Sequence, residues 1–171
     1  NFDNHTEGII KKQIKLISTN EEELKEINKK LEKYEFYTEY IITHIDKTQS
    51  DSSIYKDVRK ISIGVSQKDI LSYRCKQKSA FYNCFVMILR LYDDINKIFK
   101  EIHVKIFNTG KIEIPGVQDN IIFEKTCKYI LKILNNISNE HTYSIYDNKT
   151  EAILINSNFH CGFCINRQKL F

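Results

Sequence analysis

Ile102-His-Val-Lys-Ile-Phe-Asn-Thr-Gly-Lys-Ile-Glu-Ile-Pro-Gly-Val117 reads as a β-hairpin. Val104 and Ile106 alternate with Lys105 and Phe107, Asn108-Thr109-Gly110 supplies the turn, and Ile112 and Ile114 alternate with Lys111 and Glu113. Pro115-Gly116 stops the second strand, because proline has no amide to give a ladder. One face, with Val104, Ile106, Ile112 and Ile114, is the natural core side. The other carries Lys105, Phe107, Lys111 and Glu113, an aromatic among mostly basic groups, and is where a function would sit.

Upstream, Ala80 to Tyr92 is apolar on both alternating sets, Phe85, Met87, Leu89 and Leu91 on one and Cys84, Val86 and Ile88 on the other. Such a strand is covered on both sides or keeps an apolar face for a partner. Downstream, Asp119 or Asn120 caps a helix with apolar positions Phe123, Cys127, Ile130, Leu131 and Leu134. Strand, hairpin and helix together predict a curved antiparallel sheet with a helix on its core face.

This order of elements resembles one repeat of the TATA-box-binding protein family. Met87-Ile-Leu-Arg-Leu91 is similar to the family's Met-Arg-Ile strand end, Ile106-Phe-Asn-Thr-Gly-Lys111 to its Ile-Phe-x-Ser-Gly-Lys hairpin, and Pro115-Gly116 stands at its Thr-Gly. Ala152 to Ile165 resembles the first strand of the family's second repeat. The whole looks closest to the divergent members encoded by large nucleocytoplasmic DNA viruses, over residues 78–137 and 150–165.

The resemblance implies an α+β, saddle-shaped fold: a curved antiparallel sheet, helices packed on its convex face, and a second pseudo-repeat only begun in this chain. It implies a first lobe at residues 1–137, with a divergent N-terminal part and a polar insertion near 46–57. A linker at 138–150 and the truncated start of a second lobe at 151–171 follow. The function implied is transcription initiation by binding and bending the minor groove of AT-rich promoter DNA. Aromatic wedges would part base steps while basic residues hold phosphates. Carried over by position, Phe107 is the wedge, Lys111 a phosphate contact and Arg90 the arginine after the apolar strand. Lys105 shares their face, Tyr82 or Phe85 is the second wedge, and Asn158 and Phe159 belong to the second lobe's groove face. Glu113, Pro115 and Ala152 stand where the family has an apolar residue, a threonine and an asparagine. Implied partners are double-stranded DNA, a factor resembling transcription factor IIB and RNA polymerase subunits, in the host nucleus or a cytoplasmic viral factory. Two alternatives are a protein-interaction module of a viral transcription complex that does not bind DNA, and an accessory recognition domain of a nucleic-acid enzyme.

Composition is compatible with this reading. The 171 residues carry a net charge of +4, enough to permit a nucleic-acid partner without demanding one. Lys11, Lys12 and Lys15 form one basic cluster, and Arg74, Lys76 and Lys78 another. Ile, Lys and Asn dominate, the usage of AT-rich coding DNA. The chain starts at Asn1 and stops at Phe171, which reads as a piece of a longer frame. No signal peptide or apolar run of membrane-spanning length is present in it, so no membrane role is expected.

Elsewhere, Ile14, Leu16 and Ile17 predict an opening strand. Asn20 caps a helix with Glu23 at the capping-box position, and Leu24, Ile27, Leu31 and Tyr34 give it a stripe of about four turns. Residues 36–45 read as a strand, 46–57 as a polar loop, 58–65 as a strand and 67–72 as a turn or short helix. Residues 142–146 read as a short strand. Cys161-Gly-Phe-Cys164 beside His160 has zinc-knuckle spacing but no second ligand pair, and on a strand the two thiols would face apart. The five cysteines are expected to be structural, with no metal or cofactor. No phosphate loop or partnered nucleophile is present, so an enzyme is not expected.

Overall fold

A computed structural model describes residues 6–49, 52–71, 83–146, 149–152, 162 and 169. The chain divides into two compact units, Asn1–Ile130 and Leu131–Phe171.

The first unit is built on an open, curved antiparallel sheet of six strands flanked by helices. Its elements are β1 (Gly8–Ser18), α1 (Glu21–Leu31), β2 (Tyr37–Gln49), β3 (Ser52–Gly64), α2 (Gln67–Leu71), β4 (Cys84–Asp93), β5 (Ile98–Phe107), β6 (Ile112–Glu113) and α3 (Asn120–Ile137), the last of which runs on into the second unit. Strand order is β2-β3-β1-β4-β5-β6, so the first strand sits in the middle. β1 and β2 are each antiparallel to β3 and therefore parallel to one another, with α1 as the crossover between them.

Because paired residues share a face, the ladders assign every strand position to one side. Met87, Leu89 and Leu91 share a face with Ile102 and Val104, all buried, and this is the core side. Ile61 on β3 lies on the same side. The helices bury Leu31 on α1 and Ile122, Thr126 and Ile130 on α3. The Lys125 ammonium anchors α3 by donating to the Tyr92 carbonyl (2.8 Å) and pairing with Glu7 (2.7 Å).

Local chemistry explains the boundaries. The Asn20 carboxamide accepts the Glu23 amide at 2.8 Å, as an N-cap should. Glu23 reaches back one residue further than a capping box requires, to the Thr19 amide (2.7 Å). Helix α1 ends at Leu31, three turns rather than four, leaving Tyr34 outside it. At α3 the cap is Asp119, whose carboxylate accepts from the Ile121 amide (2.8 Å). Its buried stripe is Ile122, Thr126 and Ile130: Ile130 is as expected, while Ile122 and Thr126 take the place expected of Phe123 and Cys127. Thr126 tolerates this burial because its hydroxyl donates to the Ile122 carbonyl at 2.7 Å.

Two further expectations are corrected. The polar segment 46–57 is mostly strand, not loop: β2 runs to Gln49 and β3 begins at Ser52, with Asp46 opposite Tyr55 and Ile45 opposite Lys56. Residues 142–146, in the second unit, form no strand. There the Asn135 side chain instead pairs with both backbone groups of Tyr143, accepting its amide at 2.6 Å and donating to its carbonyl at 3.1 Å.

Candidate nucleic-acid interface

The hairpin has the register its alternation predicts. Lys105 lies opposite Glu113 and Ile106 opposite Ile112, while Phe107 donates its amide to the Lys111 carbonyl (2.9 Å). Gly110 closes the turn at φ 84°, a left-handed conformation suited to glycine. Lys105 and Phe107 therefore project from the side of the sheet opposite the core, with Cys84, Val86, Ile88, Arg90 and Tyr92 of β4 beside them.

A continuous line of residues crosses all six strands on this side: Thr38, Ser62, Gln13, Val86, Lys105 and Glu113. At the usual spacing between strands it is about 24 Å long, which matches about seven base-pair steps of duplex. Its middle is uncharged, and Gln13 donates from Nε2 to the Ser62 hydroxyl at 3.1 Å. Next to this line runs a second, of Tyr40, Lys60 and Lys15 on β2, β3 and β1, and on the other half of the sheet the pair Cys84–Phe107.

Charge is sorted between the two sides of β1, β2 and β3. Lys11, Lys15, Lys47, Lys56 and Lys60 fall on the side opposite the core, whereas Glu39, Asp46 and Asp57 fall on the core side. Among the described residues these three strands put no carboxylate on the lysine side. On the core side Asp57 and Glu39 are neutralised locally. Asp57, 1% exposed, accepts from Arg59 Nε (2.6 Å) and bonds His44 Nδ1 (2.8 Å), while Arg59 also reaches Glu39 (2.8 Å). Burial pushes the Asp57 carboxyl up, but the Arg59 and His44 hydrogen bonds outweigh it and hold the group below its ordinary range.

Part of the lysine side is covered. The segment from Val65 to Leu71 lies over the row Lys11, Ile88 and His103, with Asp69 gripping Lys11 at 2.7 Å and the Gln67 amide donating to Glu101 at 2.9 Å. Ile88 is buried there. Burial, followed by the nearby Lys68 charge, lowers the His103 pKa and favours its neutral form. The expectation of a β4 covered on both sides is met at this row.

Of the residues singled out in the sequence, Phe107, Lys105 and Lys111 come together at the hairpin, while Arg90 lies on the same side but six residues along β4 from Cys84, the partner of Phe107. Arg90 stands 3.8 Å from Glu101, and Lys105 and Lys111 stand 3.5 and 3.3 Å from Glu113. Phe85 is not with them: it pairs with Ile106 on the core side, opposite to a wedge at Phe107. Tyr82, Asn158 and Phe159 lie outside the described residues, as do Arg74, Lys76, Lys78, His160, Cys161 and Cys164. Cys84 and Cys127 are free thiols whose pKa values burial pushes up. Among the described residues no cluster of three metal-ligating side chains occurs, and no helix is long and apolar enough to cross a membrane.

The residues that sequence reasoning missed are Tyr40, Lys56, Lys60 and Gln13. For Lys56 and Lys60 the signal was the alternation Lys56, Val58, Lys60, Ser62, which shows only once β3 is known to start before Val58. Comparison with protein-family models, curated proteins and solved structures gives no match for this chain.

Proposed function

We propose that the side of the sheet carrying Phe107 and the lysines of β1 and β3 binds double-stranded nucleic acid, and that the chain is a DNA-binding transcription initiation factor of the TATA-box-binding type, seated on the minor groove of AT-rich duplex. One observation carries this reading: a line across the strands whose middle is uncharged, with lysines of β1 and β3 along one flank and Phe107 in the same flank, all on one side of a curved sheet. Gln and Thr suit the donor-poor edge of A·T pairs, the lysines suit phosphates, and an aromatic suits insertion at a base step. Fluorescence anisotropy of the protein against AT-rich and GC-rich duplexes over a salt series tests it. Tighter binding to AT-rich duplex that weakens steeply with salt is expected, and absence of binding at low salt refutes it.

A second reading, a protein-interaction module in a viral transcription complex, is favoured by a different feature. Phe36 (58% exposed), Tyr37 and Ile41 leave apolar surface at the sheet edge made by β2. Failure to bind any duplex, with stable capture of a polymerase subunit or of a factor resembling transcription factor IIB, would establish it instead.

A further inference from the structure

Glu113 is the residue that the nucleic-acid reading does not absorb. It sits on the two-residue edge strand β6, on the same side as Phe107, and its carboxylate is held between two ammonium groups, Lys105 at 3.5 Å and Lys111 at 3.3 Å. The carboxylate is 32% exposed, and the lysine side chains are 33% and 56% exposed. All three groups remain open to an incoming ligand. Both cations therefore converge on one anionic position at the end of the six-strand line. That position has the charge and the spacing of a single backbone phosphate, and the protein fills it with its own carboxylate.

We infer that Glu113 is an internal stand-in for phosphate that sets the affinity and the placement of the duplex. This rests on the nucleic-acid reading proposed above. A duplex laid along the line meets Glu113 at the β6 end, where carboxylate and phosphate repel and the two lysines are already engaged. At the other end, the described residues of β1, β2 and β3 contribute lysines and no carboxylate of their own to that side, while Asp69 of the 65–71 segment pairs with Lys11. Lys105 and Lys111 contribute only when Glu113 is displaced, so Glu113 biases the duplex away from the β6 end. An uncharged residue at 113 would add the β6 end to the footprint.

Glu113→Gln keeps the shape and removes the charge. The control is Glu26→Gln on α1, which removes the same unit of charge from an exposed i,i+4 pair with Lys30. Anisotropy is read for wild type, both single variants and the triple variant Lys105→Ala/Lys111→Ala/Glu113→Gln, against one AT-rich duplex over a salt series. Glu113→Gln is expected to bind roughly five- to ten-fold tighter at low salt, the gain that two surface ion pairs released to phosphate can provide. Its log–log salt slope should steepen by about one to two, at about 0.9 for each further phosphate neutralised. The triple variant should lose the gain. If wild type binds and Glu113→Gln matches Glu26→Gln in affinity and slope, the inference is wrong and the nucleic-acid reading stands. If none of the four proteins binds, both fall.

Discussion

Phe85 and Phe107 project from opposite sides of the same β4–β5 ladder, Phe85 beside Ile106 on the core side and Phe107 beside Cys84 on the other. One aromatic therefore belongs to packing and the other to the proposed binding surface, and their truncations should separate. Phe107→Ala is expected to reduce AT-duplex affinity at least ten-fold, the loss of about 1.4 kcal/mol, with little change in melting temperature. Phe85→Ala should leave affinity per folded molecule unchanged and cost about 1–3 kcal/mol of stability, less than a fully buried phenylalanine because the ring is half-exposed. Thermal melts run beside anisotropy decide this, and equal loss of binding in both variants would remove Phe107 from the wedge role.

Lys15 and Lys60 face one another across β1 and β3. Replacing both by Gln is expected to make the salt slope shallower by about 1.8, at about 0.9 for each phosphate neutralised, while the AT preference is kept. Lys12, one residue from Lys11 but on the core side, is the internal control: Lys12→Gln should leave the slope unchanged. A slope insensitive to Lys15 and Lys60 would move the phosphate contacts off this half of the sheet.

These lysines also show where the sequence stops being legible. The hairpin at 102–117 could be read because every second residue is apolar and a glycine sits where the turn demands it. The cluster Lys11, Lys12 and Lys15 could not be assigned to sides, because a bulge at Ile10 shifts the register between Ile9 and Lys11. Without it Ile9 and Lys11 would point the same way; with it Lys11 joins Gln13 and Lys15 on the side away from the core. A second shift between Ile41 and Thr43 does the same to β2. The outer part of β2 and β3 was hidden for another reason: Asp46, Lys47, Ile54 and Lys56 are all exposed, so this stretch lacks the apolar alternation that marks a half-buried strand. Thr126 was passed over in α3 because its burial depends on a hydrogen bond within the helix rather than on its own polarity.

Gly64 and Gly110 both have left-handed backbones, at φ 87° and 84°, but different surroundings. A Cβ at Gly64 would sit 2.1 Å from the Ile10 carbonyl oxygen, whereas one at Gly110 meets nothing within 4 Å. Gly110→Ala should cost about 1 kcal/mol, the backbone strain alone, and Gly64→Ala should exceed the roughly 3 kcal/mol upper end of such strain because backbone must also move. Urea denaturation of the two variants side by side measures the difference. Equal midpoints would contradict the close approach of Gly64 to β1.

Acid should destabilise the fold through specific carboxylates. Asp93 accepts hydrogen bonds from the Asn96 side chain and Lys100, which hold it far below the ordinary range. For Asp69, burial acts upward but the Lys11 and Ser66 hydrogen bonds prevail and lower it. A carboxyl with a depressed folded pKa stabilises the protein fully above its unfolded value near 3.9, and the contribution is lost as pH falls through the folded value. The melting temperature should therefore be insensitive to these groups at neutral pH and fall progressively below about pH 4. Asp93→Asn should melt lower than wild type at pH 7 and lose less on acidification. If the two proteins lose equally between neutral and acid, Asp93 is not among the groups responsible.

The central place of β1 has a bearing on how the protein is made. β1 precedes both of its partners in the sequence, pairing on one side with Asp57–Gly64 and on the other with Val86–Arg90. During synthesis it waits for both, its amides open on two edges, until translation has passed β4. A nascent chain arrested before that point would expose Ile9, Ile14 and Leu16 without their neighbours and would be a target for chaperones. Once β4 has docked, the middle of the sheet closes in one step, and β5, β6 and α3 have a finished edge on which to add.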